Sequence, residues 1–144
     1  MMDRDRFIQA KEFIFSDMER EINLAKSGQG AGNFMCALSL LCYTEFMGGV
    51  RRNVFKQGEA KNNFNAFLQE LGNGYSSLPL NAYSIFRCGL AHEYFVKEDC
   101  TIYMLGDKKP ALGKDGDRYY FVVEQYYADF KAAVLALETE LFVE

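Results

Sequence analysis

From Asp3 to Lys26 the apolar residues Phe7, Ile14, Met18, Ile22 and Ala25 recur at steps of seven, four, four and three. That spacing lays one apolar stripe along a long amphipathic helix. Gly28, Gly30 and Gly32 follow, and glycine is a poor helix former, so they predict a helix–helix connection. A phosphate-binding loop would need a strand before these glycines and Gly-Lys-Ser/Thr after them, and neither is present. Asn33 predicts the cap of a second helix running to about Met47. Phe34, Ala37, Leu38, Leu40, Leu41 and Phe46 make this helix apolar around most of its circumference, which suits the middle of a bundle. Gly48-Gly49 is expected to end it, leaving Arg51, Arg52, Lys56 and Lys61 as a solvated basic loop.

Glu59 to Leu71 reads as a third helix with Phe64, Phe67, Leu68 and Leu71 on one stripe. The run Gly72-Asn73-Gly74 breaks it, and Pro79 suits the first turn of a fourth helix that continues to about Tyr94. Thr101–Leu105 and Tyr119–Val123 are rich in β-formers. They are read as the two strands of a hairpin with a long irregular connection holding Gly106, Pro110, Gly113 and Asp115-Gly116. A last helix from about Glu124 to Leu141 carries Tyr126, Phe130, Ala133, Leu137 and Leu141 in register. The expected fold is all-α: an up-and-down bundle of four to five helices with a small β-hairpin before the C-terminal helix. The 144 residues suit a single domain spanning residues 1–144.

Composition narrows the possibilities further. Apolar residues make up 49% of the chain, enough for a sizeable core and too many for a disordered segment. The net charge of −4 excludes a broad basic face for sequence-independent nucleic-acid binding, although a local basic cleft remains compatible with it. Cys36, Cys42, Cys88 and Cys100 lack Cys-x-x-Cys spacing and are expected to be reduced thiols. One histidine leaves no usual ligand pairing, so neither a metal nor another cofactor is expected. The N-terminal stretch has no apolar block of a signal peptide, and the longest apolar run, Phe34–Tyr43, is too short to span a bilayer. A soluble cytoplasmic protein without membrane association is expected.

The fourth predicted helix carries the chemistry. His92 is the only histidine in the chain, and its side chain has the unperturbed pKa best suited to proton transfer near neutrality. Arg87 lies five residues upstream and Tyr94 two downstream. At about 100° per residue Arg87 and Tyr94 share a helix face, whereas His92 points roughly 140° away from Arg87. A straight helix cannot aim all three at one small spot. Either the helix distorts near Gly89, or a second copy of the helix completes the site.

The Arg-x4-His-x-Tyr pattern of Arg87, His92 and Tyr94 resembles that of HEPN-domain proteins, most closely the toxin component of HEPN–MNT toxin–antitoxin systems. It covers eight residues, in a chain whose helix order and length fit the family loosely. The resemblance implies a homodimer with the cleft at its interface, and metal-independent endoribonuclease activity on RNA. In that chemistry Arg87 would hold the phosphate and His92 would carry the proton during attack by the ribose 2′-hydroxyl. Tyr94 would bind substrate, or be the tyrosine that a separate MNT-type nucleotidyltransferase antitoxin modifies with AMP. The family commonly has a polar residue after the arginine, where this chain has Cys88. The alternative reading is a non-catalytic HEPN-like module that dimerises or binds a partner.

Overall fold

A computed structural model describes residues 1–30, 32–78, 80–93 and 100–143, with the backbone alone at Glu93. Helix α1 (Arg4–Lys26) starts where Asp3 accepts a hydrogen bond from the Arg6 N–H at 2.9 Å, satisfying one of the free donors of the first turn. It buries Phe7, Ile14, Met18 and Ile22, the stripe expected from the periodicity. Helix α2 (Gly32–Arg52) is the centre of the molecule and packs against α1, α3 (Ala60–Leu68) and α5 (Val123–Phe142). Its buried positions lie on more than one face, among them Cys36, Leu40, Leu41, Thr44, Met47 and Val50.

The expected end of this helix at Gly48-Gly49 is corrected: α2 continues through both glycines to Arg52. The reason is packing rather than turn formation. A Cβ at position 48 would stand 1.6 Å from the backbone carbonyl oxygen of Asn63 in α3, so only glycine lets the two helices come this close. A Cβ at position 49 would meet the ring of Phe55 at 2.6 Å. The helix ends instead at Asn53, whose φ of 55° is left-handed. The Asn53 N–H donates to the Val50 carbonyl at 3.3 Å and the Val54 N–H to the Gly49 carbonyl at 3.1 Å, the pair of bonds that closes a Schellman cap. Asn63 then grips the departing chain. Its amide donates to the Val54 carbonyl at 2.8 Å, while its side-chain oxygen accepts from Arg52 at 2.8 Å.

Of the basic stretch, only Lys56 lies in an exposed loop, and Lys61 belongs to α3. Arg51 and Arg52 are helical, and Arg51 joins Glu70 after α3 to Glu140 near the end of α5, with N–O distances of 2.5 and 2.6 Å. Helix α3 runs into a 3₁₀ turn at Gln69–Leu71, as the breaker run Gly72-Asn73-Gly74 requires. Pro79, expected in the first turn of the next helix, lies outside the described residues. Asn81 accepts from the Ser84 N–H at 3.1 Å, and the chain enters a π-helical segment at Tyr83–Cys88 that passes into α4 (Gly89–Glu93).

The expected two-stranded hairpin is also corrected. Among the described residues the sheet has three strands, β1 (Cys100–Tyr103), β2 (Leu112–Asp115) and β3 (Arg118–Val122), in the order β1-β3-β2. The tight hairpin is β2–β3, antiparallel, with Asp115 opposite Arg118 across Gly116-Asp117. Gly116 has a φ of 58°, the left-handed conformation such a turn needs. With one edge of β3 taken by β2, β1 pairs with the other edge in parallel. The buried residues Ala111 and Leu112 explain why the segment read as an irregular connection supplies a strand. The structure is thus mostly helical, with a small sheet preceding α5.

Aromatic rings bind the sheet to the bundle. Phe121 packs on Tyr126 of α5 at 4.7 Å and on Phe86 of the π-helical segment at 6.2 Å, while Phe67 of α3 meets Phe130 at 5.9 Å. Buried hydroxyls among them are paired. Thr44 donates to the Leu40 carbonyl at 2.8 Å, so the fully buried Tyr126 is the donor in the 2.7 Å contact between their hydroxyls. Tyr75 donates to Asp129 at 2.7 Å and accepts from the Ala111 N–H at 3.0 Å, tying the start of β2 to α5.

Two predictions follow from this packing. Gly48→Ala would stabilise an exposed helix by about 1 kcal/mol. Here the forced separation of α2 from Asn63 reverses the sign, with an expected loss of about 2–3 kcal/mol in urea unfolding. Unchanged or raised stability contradicts the close approach.

The second concerns alkali. Burial raises the hydroxyls of Tyr75, Tyr126 and Tyr127 above the usual tyrosine range, and pushes the Cys100 thiol up to about 12. The fold thus favours the neutral forms. Their contribution is fully present below the unfolded values, about 8.5 for cysteine and about 10 for tyrosine, and is lost as pH rises through the folded ones. The urea midpoint is expected to hold near neutrality and to fall steadily above pH ~9; a midpoint that stays flat far into alkali contradicts this.

Candidate functional site

Arg87 sits in the last turn of the π-helical segment. Such segments carry an extra residue per turn and change the direction in which side chains leave the helix. The distortion expected near Gly89 therefore occurs immediately before it. Arg87 turns inward, with its side chain 18% exposed, and its Nε stands 3.3 Å from Oε1 of Glu45 on α2. Both atoms are buried, and neither makes a hydrogen bond of good alignment. The pair is balanced in charge but incompletely satisfied in direction, a costly state for buried polar atoms.

Three further groups surround the pair. Cys42 lies one turn before Glu45 on α2; burial raises its thiol, the Arg87 charge opposes that shift, and Glu45 adds to it. Tyr83 lies one turn before Arg87 and packs against Phe64 of α3, with ring centroids 5.5 Å apart and planes tilted by 59°. Its hydroxyl is raised first by burial and then by the neighbouring Cys88 thiol. All four cysteines are free thiols.

His92 has a different setting. It lies in the last turn of α4 and is exposed to solvent. Tyr94 lies outside the described residues. Within one chain the structure groups Arg87 with Glu45, Cys42, Tyr83 and Cys88, and leaves His92 on the solvent side of the same helical segment.

Glu45 escaped the sequence reading, yet it had a signal. It is the only charged residue between Lys26 and Arg51, set in a largely apolar helix. A lone carboxylate there requires a partner. Beside it opens a cleft of about 390 Å³, lined by Cys42, Glu45, Phe46, Phe55, Lys56 and Asn63 among others. Among the described residues no group of three histidine, cysteine or carboxylate side chains is arranged to hold a metal ion, and no helix is long and apolar enough to cross a membrane.

A double-mutant cycle on Glu45→Ala and Arg87→Ala tests the pair. Each single change is expected to destabilise by about 1–3 kcal/mol, because it strands the other charge in a largely buried place. The double variant should recover about 1 kcal/mol of the sum. Strict additivity in thermal or urea unfolding means that the two side chains do not interact in solution.

The chain was compared with protein-family models, curated proteins and solved structures, and none matches it.

Proposed function

We propose that the chain is a metal-independent endoribonuclease of HEPN type, toxin-like, whose reactive cleft forms between two copies of the chain. The observation that carries this reading is the placement of the two motif residues on one short helical segment. Arg87 leaves its π-helical turn toward the protein with an unaligned Nε, and the chain's only histidine stands exposed five residues on. One copy presents the two groups in different directions, so apposition of two such segments across a two-fold axis supplies a composite site.

The chemistry assigned to that site balances without a metal. His92 takes the proton from a ribose 2′-hydroxyl, whose oxygen attacks the adjacent phosphorus. The bond from phosphorus to the 5′-oxygen breaks, a proton is delivered to that leaving oxygen, and a 2′,3′-cyclic phosphate remains. Arg87 offers a permanently charged planar donor to the phosphoryl oxygens as negative charge gathers on them. Tyr94 binds substrate beside them, or is the site at which a separate MNT-type nucleotidyltransferase antitoxin adds AMP. A bulky anion there would block an RNA strand by size and charge. An RNA substrate implies a cytoplasmic site of action.

One observation favours a second reading, a HEPN-like module that dimerises or binds a partner without cleaving RNA. Arg87 is already balanced in charge by Glu45. An arginine held this way performs a structural task whether or not a phosphate ever reaches it.

Purified protein is expected to cleave single-stranded RNA in EDTA and leave cyclic phosphate ends. His92→Ala and Arg87→Ala should each lower the rate by roughly 100-fold or more. Intact RNA across varied substrates, or normal cleavage by both variants, sinks the nuclease. Sedimentation as a dimer without cleavage supports the second reading, and a monomer at micromolar concentration removes the shared cleft.

A further inference from the structure

Phe55 is a large aromatic residue in a place built to display it. Its side chain is 57% exposed, yet it lies against Gly49 of α2, where any Cβ would collide with the ring. Glycine within a helix costs about 1 kcal/mol relative to alanine, so α2 gives up stability where the ring rests. The left-handed residue Asn53 and the grip of Asn63 on the Val54 carbonyl turn the chain back over the helix and hold the ring there. Phe46 supports it from α2 at 5.9 Å between ring centroids.

Clefts open on both sides of this aromatic pair. One, of about 390 Å³, is the cleft that reaches Glu45. The other, of about 380 Å³, is lined by Met1, Met2, Arg6, Phe46, Asn53 and Phe55. Each is in the size range of small-ligand pockets. Each also has a cation at its wall, Arg6 in one and Lys56 in the other, and among the described residues neither forms an ion pair with a carboxylate. The carboxylates nearby are engaged: Glu45 faces Arg87, and Glu59 is held by Arg52 and Asn62. Asn53 and Gln57 add neutral hydrogen-bonding groups, one in each cleft.

We infer that Phe55 is a stacking platform for an unpaired base of single-stranded RNA, with Arg6 and Lys56 receiving the phosphates on either side. An exposed ring flanked by cations is how proteins hold single strands without reading their sequence, because every base has a face to stack. A contact between two copies of the chain would be expected to extend over a continuous apolar patch. Here the apolar wall of Met1, Met2, Phe46 and Phe55 is broken by two clefts, each with a cation and an amide in its wall, a charge complementary to a phosphate strand. The inference rests on the RNA reading above and names the surface that leads a strand toward Arg87.

The test uses binding alone, so cleavage does not enter it. A short fluorescent 2′-O-methyl RNA, which has no free 2′-hydroxyl to attack with, is titrated with the full chain at low salt and followed by anisotropy. Phe55→Ala is expected to weaken binding roughly tenfold, with Phe55→Tyr staying close to the original. Arg6→Ala and Lys56→Ala should each lower the slope of log affinity against log salt by about 0.7. Melting temperatures check that each variant is folded.

Equal affinity for the original chain and Phe55→Ala overturns the inference, as does failure of the original chain to bind the strand. So does a change in sedimentation of Phe55→Ala with RNA affinity unaltered, which assigns the ring to a contact between copies. Phe55-dependent binding by a chain that never cleaves RNA upholds this surface and removes only the nuclease. Cleavage that ignores Phe55 does the reverse.

Discussion

The close approach of Gly48 in α2 to the backbone of Asn63 in α3 is the contact on which the rest of the arrangement depends. It brings Asn63 to the end of α2, where its amide clamps both Arg52 and the Val54 carbonyl. That clamp sets the path of the loop after the helix, and with it the position of Phe55 over Gly49. It also allows α2 a full extra turn, so that Arg51 reaches Glu70 and Glu140 and couples the ends of three helical elements. A methyl group at position 48 would separate the helices and loosen all of these together.

The second organising feature is the manner in which polar groups enter an aromatic core. Thr44, Tyr126 and Tyr75 each have aligned partners, so they define where α5 and the sheet sit relative to α2 at little cost. The Glu45–Arg87 pair differs, being close in distance and poor in alignment. It occurs where the backbone itself departs from α-helical geometry, in the π-helical segment. Departures of both kinds in one place are characteristic of sites held for a purpose other than stability. That coincidence is why the proposed chemistry is centred on Arg87.

Much of the fold was legible along the chain. The stripe of α1 and the register of α5 were evident because a helix that buries one face must repeat its apolar residues every three or four positions. The breaker run after Leu71 was equally local. Gly48-Gly49 misled because a glycine pair has the same appearance whether it ends a helix or admits a neighbouring one. Asp115-Gly116 was noticed, but as part of a connection, since the short β2 carries little periodicity of its own.

For the candidate site the division is sharper. Sequence alone determined that His92 is the one imidazole available, that Arg87 precedes it by five residues, and that a regular helix would turn them apart. Those are consequences of covalent order and helical geometry. Only the tertiary structure decided that Arg87 faces Glu45, that His92 stands in solvent, and that β1 joins β3 in parallel. Each of these turns on which groups from distant parts of the chain are brought within a few ångströms. Burial of the shared core settles that, and no local pattern encodes it.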